Sequence, residues 1–190
     1  QGYLIYFCLS ALFLLWENTS PRDAARTGYF FGLGFMAFGV FWLHVSIDQF
    51  GGVPGVLAMV LALVFAAAMA LYFAFAGVLS VWLATRYQVA RWSRLLVLWP
   101  AIWALVELCR AYWFSGFPWL SLGYSQIDLP TVSIAPWLGV FGVSWLVAVI
   151  AASLSLLVTR QRRDMFIALG AILACALVAH QLSRVNWSER

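Results

Sequence analysis

The 190-residue chain is 65% hydrophobic and 9% charged, whereas soluble domains are about 45–50% apolar and about 25% charged. A water-soluble fold of this length cannot bury that much apolar side chain, so its solvent is lipid. The net charge of +4 comes from eleven arginines and no lysine; they are spread over short loops rather than one basic face, which argues against a nucleic-acid partner.

Six apolar runs, near 1–16, 28–47, 54–84, 95–114, 134–158 and 165–183, predict an all-α, polytopic transmembrane helix bundle of about six spans. Backbone in lipid must satisfy its own hydrogen bonds, and runs of this length do so as helices. Residues 1–190 read as one transmembrane helical domain, a fragment of a longer protein, since the chain opens at Gln1 and stops abruptly after Ser188-Glu189-Arg190. The first run, Tyr3 to Trp16, is shorter than the roughly 20 residues of a span. It lacks the basic start and small-residue cleavage site of a signal peptide. Gly28 and Gly32 in the second run form a GxxxG pair that allows close helix approach. His44 and Asp48 follow one helical turn apart, read either as a solvated polar end or as a proton shuttle. Gly51-Gly52 and Pro54-Gly55 then make a tight turn. The third run exceeds a perpendicular span at about 1.5 Å per residue, so it tilts or projects from the bilayer; Ala66, Ala70 and Ala74 line one of its faces. Cys8, Cys109 and Cys175 lie inside apolar runs without metal-ligand spacing and read as small buried hydrophobes.

Arginine placement sets the orientation. Arg22 and Arg26 follow the first run, Arg86, Arg91 and Arg94 the third, and Arg160, Arg162 and Arg163 the fifth. Segments 48–53 and 115–133 hold no arginine. By the positive-inside rule the first, third and fifth loops are cytoplasmic, and the 115–133 loop and the C-terminus face outward. The sequon at Asn18 then lies in the cytoplasm, and the one at Asn186 is too close to the chain end to weigh.

The fourth run closes on Glu107 to Gln126, reading ELCRAYWFSGFPWLSLGYSQ. Glu107 and Arg110 share a helix face at i and i+3. A lone charge at mid-membrane costs about 2.5–3.5 kcal/mol on insertion scales; pairing offsets part of this, and Arg110 can snorkel outward. Two readings stand: a structural ion pair that anchors the loop, or a pair that binds a headgroup or positions a reacting group. The loop breaks at Gly116 and Pro118 and presents Trp113, Phe114, Phe117, Trp119 and Tyr124, rings suited to the headgroup layer. Pro118 fixes the backbone between two rings, so exposed Phe117 and Trp119 would grip an acyl chain at little entropic cost. No P-loop, dinucleotide fingerprint or metal motif is present. Without lysine no Glu-Lys-Cys set can be assembled. The sequence predicts no catalytic residue, no metal and no cofactor.

Phe50-Gly51-Gly52-Val53-Pro54-Gly55, Glu107 with Arg110, Gly116-Phe117-Pro118-Trp119-Leu120 and Gly123-Tyr124-Ser125-Gln126 together resemble the membrane domain of bacterial apolipoprotein N-acyltransferases. The resemblance runs from about Gly28 to Ser144. It implies a multi-pass domain in the bacterial inner membrane, joined after a periplasmic C-terminus to a nitrilase-like domain that this chain lacks. It further implies a phospholipid acyl donor, a diacylated lipoprotein acceptor and surrounding membrane lipid as partners. The Cys nucleophile, Glu base and oxyanion Lys of such enzymes belong to the nitrilase-like domain. Phe117, Trp119, Tyr124, Glu107 and Arg110 are the substrate-binding candidates here, with Phe117 and Trp119 at the lipid entrance, and the fragment alone is expected to be inactive. Two rivals remain at this point: a small secondary transporter with Glu107, Arg110 and His44 lining its path, and a non-enzymatic scaffold for partner helices.

Overall fold

The computed structural model describes residues 2–113, 116–158 and 161–184; Phe114, Arg160, the sequon at Asn186 and Arg190 lie outside them. All regular structure among the described residues is helical. In chain order it comprises α1 (Leu4–Trp16), α2 (Pro21–Gly39), α3 (Leu43–Gly51), α4 (Gly55–Arg86) and α5 (Arg91–Tyr112). Two 3₁₀ turns, Leu122–Gln126 and Pro130–Ile134, lead to α6 (Ala135–Val158) and α7 (Arg162–Ser183). Over its described residues each of the six apolar runs is mostly helical, the second being interrupted at residues 40–42. Among the described residues four helices (α4, α5, α6 with its preceding turn, and α7) are long and apolar enough to cross a membrane. The number becomes five if α2 and α3, bent by 51° at residues 40–42, form one broken span. α1 has 13 residues.

Local chemistry accounts for the boundaries. The Ser20 hydroxyl oxygen accepts from the Asp23 N–H at 3.2 Å, with Pro21 in the first turn of α2 and Asp23 beside its N-terminal dipole. α4 is unbroken over 32 residues, roughly 48 Å at 1.5 Å per residue, so it outreaches the hydrocarbon layer as its length predicts. In α5, Pro100 has no N–H to donate, and the turn Arg94–Leu98 just before it widens to π-helical geometry. Gly139 interrupts α6 with φ 65° and ψ −172°, a conformation open essentially to glycine alone.

The GxxxG face of α2 packs on α4. A Cβ at Gly28 would lie 2.5 Å from the Phe73 carbonyl oxygen, and one at Gly32 would lie 2.6 Å from the Phe73 ring. Ala66 and Ala70 on α4 are buried, while Ala74 is half-buried. The centre is aromatic: Phe31, Phe35, Phe73 and Trp103 meet at centroid distances of 5.5–6.2 Å, and Phe13, Trp16 and Trp99 continue the stack. The cysteines depart from the sequence expectation: Cys8 is exposed, because α1 turns that face away from the aromatic core, and Cys109 and Cys175 are only half-buried.

One end of the bundle is tied by charge. Arg91 donates through Nε and Nη2 to the two Glu17 oxygens, each at 2.8 Å, and through Nη1 to Asp164. Arg94 reaches Glu17 at 3.1 Å. The end of α1 and the starts of α5 and α7 therefore meet at one end, the end the arginine pattern marks. Burial raises the Glu17 carboxyl, but hydrogen bonds and charge from Arg91 and Arg94 outweigh it and hold the group below its ordinary value.

Candidate lipid-facing site

At the other end of α5 the chain leaves the helix at Trp113 and returns across the bundle. Gly116, at φ 74°, and the Gly116 N–H to Trp113 carbonyl bond make the reversal. The Phe117 N–H then donates to the Arg110 carbonyl at 2.8 Å. Arg110 turns its guanidinium into this loop, donating from Nη1 to the carbonyls of Phe117 (2.9 Å) and Trp119 (2.5 Å), and from Nη2 to the Ser121 hydroxyl (3.4 Å). Ser121 in turn donates to the Pro118 carbonyl. Loop carbonyls with no helical partner thus find one donor fork, the geometry that suits arginine and not lysine.

Glu107 holds the loop from the other side. Its Oε1 accepts from Trp103 Nε1 at 2.9 Å and from the Leu122 N–H at 3.0 Å. Its Oε2 is buried without a hydrogen bond of normal geometry and lies near the Ser144 hydroxyl. Two expectations are corrected here. Glu107 and Arg110 share a face, yet neither takes part in the ion pairs found among the described residues; each is drawn instead to loop backbone that needs a partner. Arg110 does not snorkel either, being 2% exposed, because the loop folds over its head.

The rings divide by role. Phe117 is half-buried, edge-on to Phe65 of α4 at 4.8 Å, so it is not the exposed tip that its sequence neighbours imply. Trp119 stacks on Phe117 at 5.5 Å and is 54% exposed. Tyr124 is exposed as well, as is Trp113 at the helix end. Leu120 adopts φ 61°, costly for a branched side chain, and drives its side chain onto Gly39, where an added Cβ would lie 2.8 Å from Cδ2.

Beneath the loop lies an apolar groove of about 1080 Å³ between α1, α2 and residues 118–125. Trp119 and Tyr124 line it, whereas Phe117, Glu107 and Arg110 stand behind its wall. His44 and Asp48 lie apart from it: the His44 ring turns back on Phe41 and its carbonyl, and Asp48 is exposed.

Sequence reasoning did not single out Gln126 as a structural post. It is fully buried, its Oε1 accepting from Tyr6 (2.5 Å) and Thr131 (2.9 Å) and its Nε2 donating to Ser125 (2.7 Å) and the Gly2 carbonyl (3.5 Å). These bonds tie the start of α1 to the loop. No local signal set it apart, since it stands between Ser125 and Ile127 with Asp128 two positions on, as a polar loop residue would. Ser144 of α6 was likewise missed; its hydroxyl accepts from the Gly123 N–H at 2.8 Å.

Comparison with known proteins gives the family. Residues 1–153 match the family model described as the apolipoprotein N-acyltransferase N-terminal domain. An apolipoprotein N-acyltransferase of Methylococcus capsulatus is 45% identical over 186 residues, 95% of this chain and 35% of that protein. Its counterpart in Pasteurella multocida is 40% identical over 83% of this chain and 30% of its own length. That of Shewanella oneidensis is 34% identical over 96% of this chain and 35% of its own. The chain spans about a third of the length of these curated relatives. With residues 1–153 matching the family model and relatives 34–45% identical over most of its length, the chain belongs to the apolipoprotein N-acyltransferase family, in the part that forms the N-terminal domain.

Proposed function

We propose that residues 1–190 form one membrane domain of an apolipoprotein N-acyltransferase and that this domain positions lipid for chemistry carried elsewhere in the protein. The reaction is transfer of an acyl chain from a phospholipid to the amino group of the N-terminal diacylglyceryl-cysteine of a lipoprotein. The observation that carries the reading is the apolar groove under Trp119 and Tyr124. Its volume lies at the top of the range of about 300–1,000 Å³ of small-ligand sites, and its lining suits an acyl chain and not a solute. Donor and acceptor enter sideways from membrane lipid. Trp119 and Tyr124 touch the chain, Phe117 supports Trp119 from behind, and Glu107 and Arg110 hold the loop backbone that sets their depth. Holding the ester at a fixed height is positioning catalysis.

The nucleophile, base and oxyanion donor are supplied by a nitrilase-like domain outside this chain, in keeping with the absence of lysine from it. The groove end faces the periplasm from the bacterial inner membrane. Two facts support that side: segment 115–133 carries no arginine, and Arg91 and Arg94 gather at the opposite end.

The test uses proteoliposomes with a diacylated lipopeptide acceptor. The purified 190-residue chain is expected to transfer no acyl group, and the full-length protein is expected to do so. In the full-length protein, Trp119→Ala raises the KM for phospholipid about tenfold or more while leaving the melting temperature near its starting value. Acyl transfer by the 190-residue chain alone, or an unchanged KM in Trp119→Ala, would overturn the reading.

A further inference from the structure

Of the four glycines of α2, Gly39 at its end packs on Leu120 and the other three fall on two faces. Gly28 and Gly32 form a row with Met36, all three buried, and the two glycines press on Phe73 of α4. Gly34 lies on the opposite side, in a row with Phe30 and Phe38 at i−4 and i+4, and all three line the groove. Its surroundings differ from those of its neighbours: nothing lies within 4 Å of a Cβ built at Gly34, and its φ is not in the left-handed region. Neither close helix packing nor backbone conformation calls for glycine there. Glycine inside a helix is less stable than alanine, so the residue weakens α2 without a gain in packing. What the missing side chain provides is space. Phe30 and Phe38 are 68% and 91% exposed, and Gly34 is the notch between these two rings.

We infer that Gly34 sets the width of the groove and is a specificity-determining residue: one acyl chain of the phospholipid donor lies across α2 in the notch between Phe30 and Phe38. This rests on the reading of the groove as the acyl site. A straight saturated chain fits a narrow notch; a chain with a methyl branch or a cis double bond needs the full gap. Filling the notch therefore changes which chains are accepted more than it changes the protein's stability.

The experiment compares Gly34→Ala and Gly34→Leu in the full-length protein, in proteoliposomes holding phosphatidylethanolamine with straight, branched or cis-unsaturated chains. Both variants are expected to melt at or above the parent temperature. Gly34→Leu is expected to lower kcat/KM at least tenfold for branched and unsaturated chains and less than threefold for straight ones, with Gly34→Ala between. An equal fall for all chains, or none, overturns the inference. A diazirine-bearing acyl chain separates its failure from that of the underlying reading. Labelling of Trp119 together with unaltered selectivity in Gly34→Leu removes only the role of Gly34. No labelling of any groove residue removes the acyl site itself, and the notch with it.

Discussion

Arg110→Lys separates a donor fork from a simple buried charge. Arg110 spans the carbonyls of Phe117 and Trp119 at 2.9 and 2.5 Å with one nitrogen and reaches Ser121 with another. A lysine keeps the positive charge near Glu107 but presents a compact ammonium on a flexible stem. It can satisfy one loop carbonyl well, leaving the other buried without its donor. A hydrogen bond to a charged group contributes about 1.5–3 kcal/mol, and an orphaned buried acceptor costs a similar amount. One such loss predicts destabilisation of about 1.5–3 kcal/mol. At about 2–4 °C per kcal/mol for a chain of this size, the melting temperature in detergent micelles falls by roughly 3–12 °C. Arg110→Gln, which removes the charge as well, falls at least as far. If Arg110→Lys melted with the parent while Arg110→Gln collapsed, charge opposite Glu107 would be the active feature, and the fork account would be wrong.

Two further outcomes follow from the packing and the charged end. The Glu17 carboxyl is held below its ordinary value by Arg91 and Arg94, so its contribution to stability is fully present above that value and is lost as pH falls through the lowered folded value. Melting temperature measured against pH should drop in the acid range below about 4.5, the ordinary glutamate value, and Glu17→Gln should start lower and lose that part of the slope. Gly28→Ala places a methyl 2.5 Å from the Phe73 carbonyl oxygen, an overpacking that costs about 1–3 kcal/mol. Its melting temperature is expected to fall, and a rise would mean that α2 and α4 do not meet at Gly28.

The helices were legible because apolar runs in lipid have few alternatives, and the arginine pattern foretold which turns share an end. What joins those turns was not legible: Glu17 and Arg91 are 74 residues apart, and no local periodicity links them. Spacing correctly put Glu107 and Arg110 on one face but misassigned their partners. Those partners are backbone groups of a returning loop, and a carbonyl looks the same whatever residue carries it. Phe117 was misplaced for a related reason, since its burial depends on Phe65, 52 positions earlier in the chain. The bend after α2 falls at Val40–Trp42, a step without proline. Gly139, by contrast, sits in an apolar run where glycine is ordinary, so its unusual backbone leaves no mark in the sequence.

The charged knot of Arg91 with Glu17 and Asp164 has a mechanical consequence. It pins α1, α5 and α7 at one tip, while at the far tip α1 is tied to the loop by the neutral hydrogen bonds of Gln126. Charge-assisted hydrogen bonds are roughly twice as strong as neutral ones, so the ionic tip is expected to be the stiffer of the two. Widening needed to admit a bulky guest would fall at the neutral tip, leaving the arginine-marked one at rest.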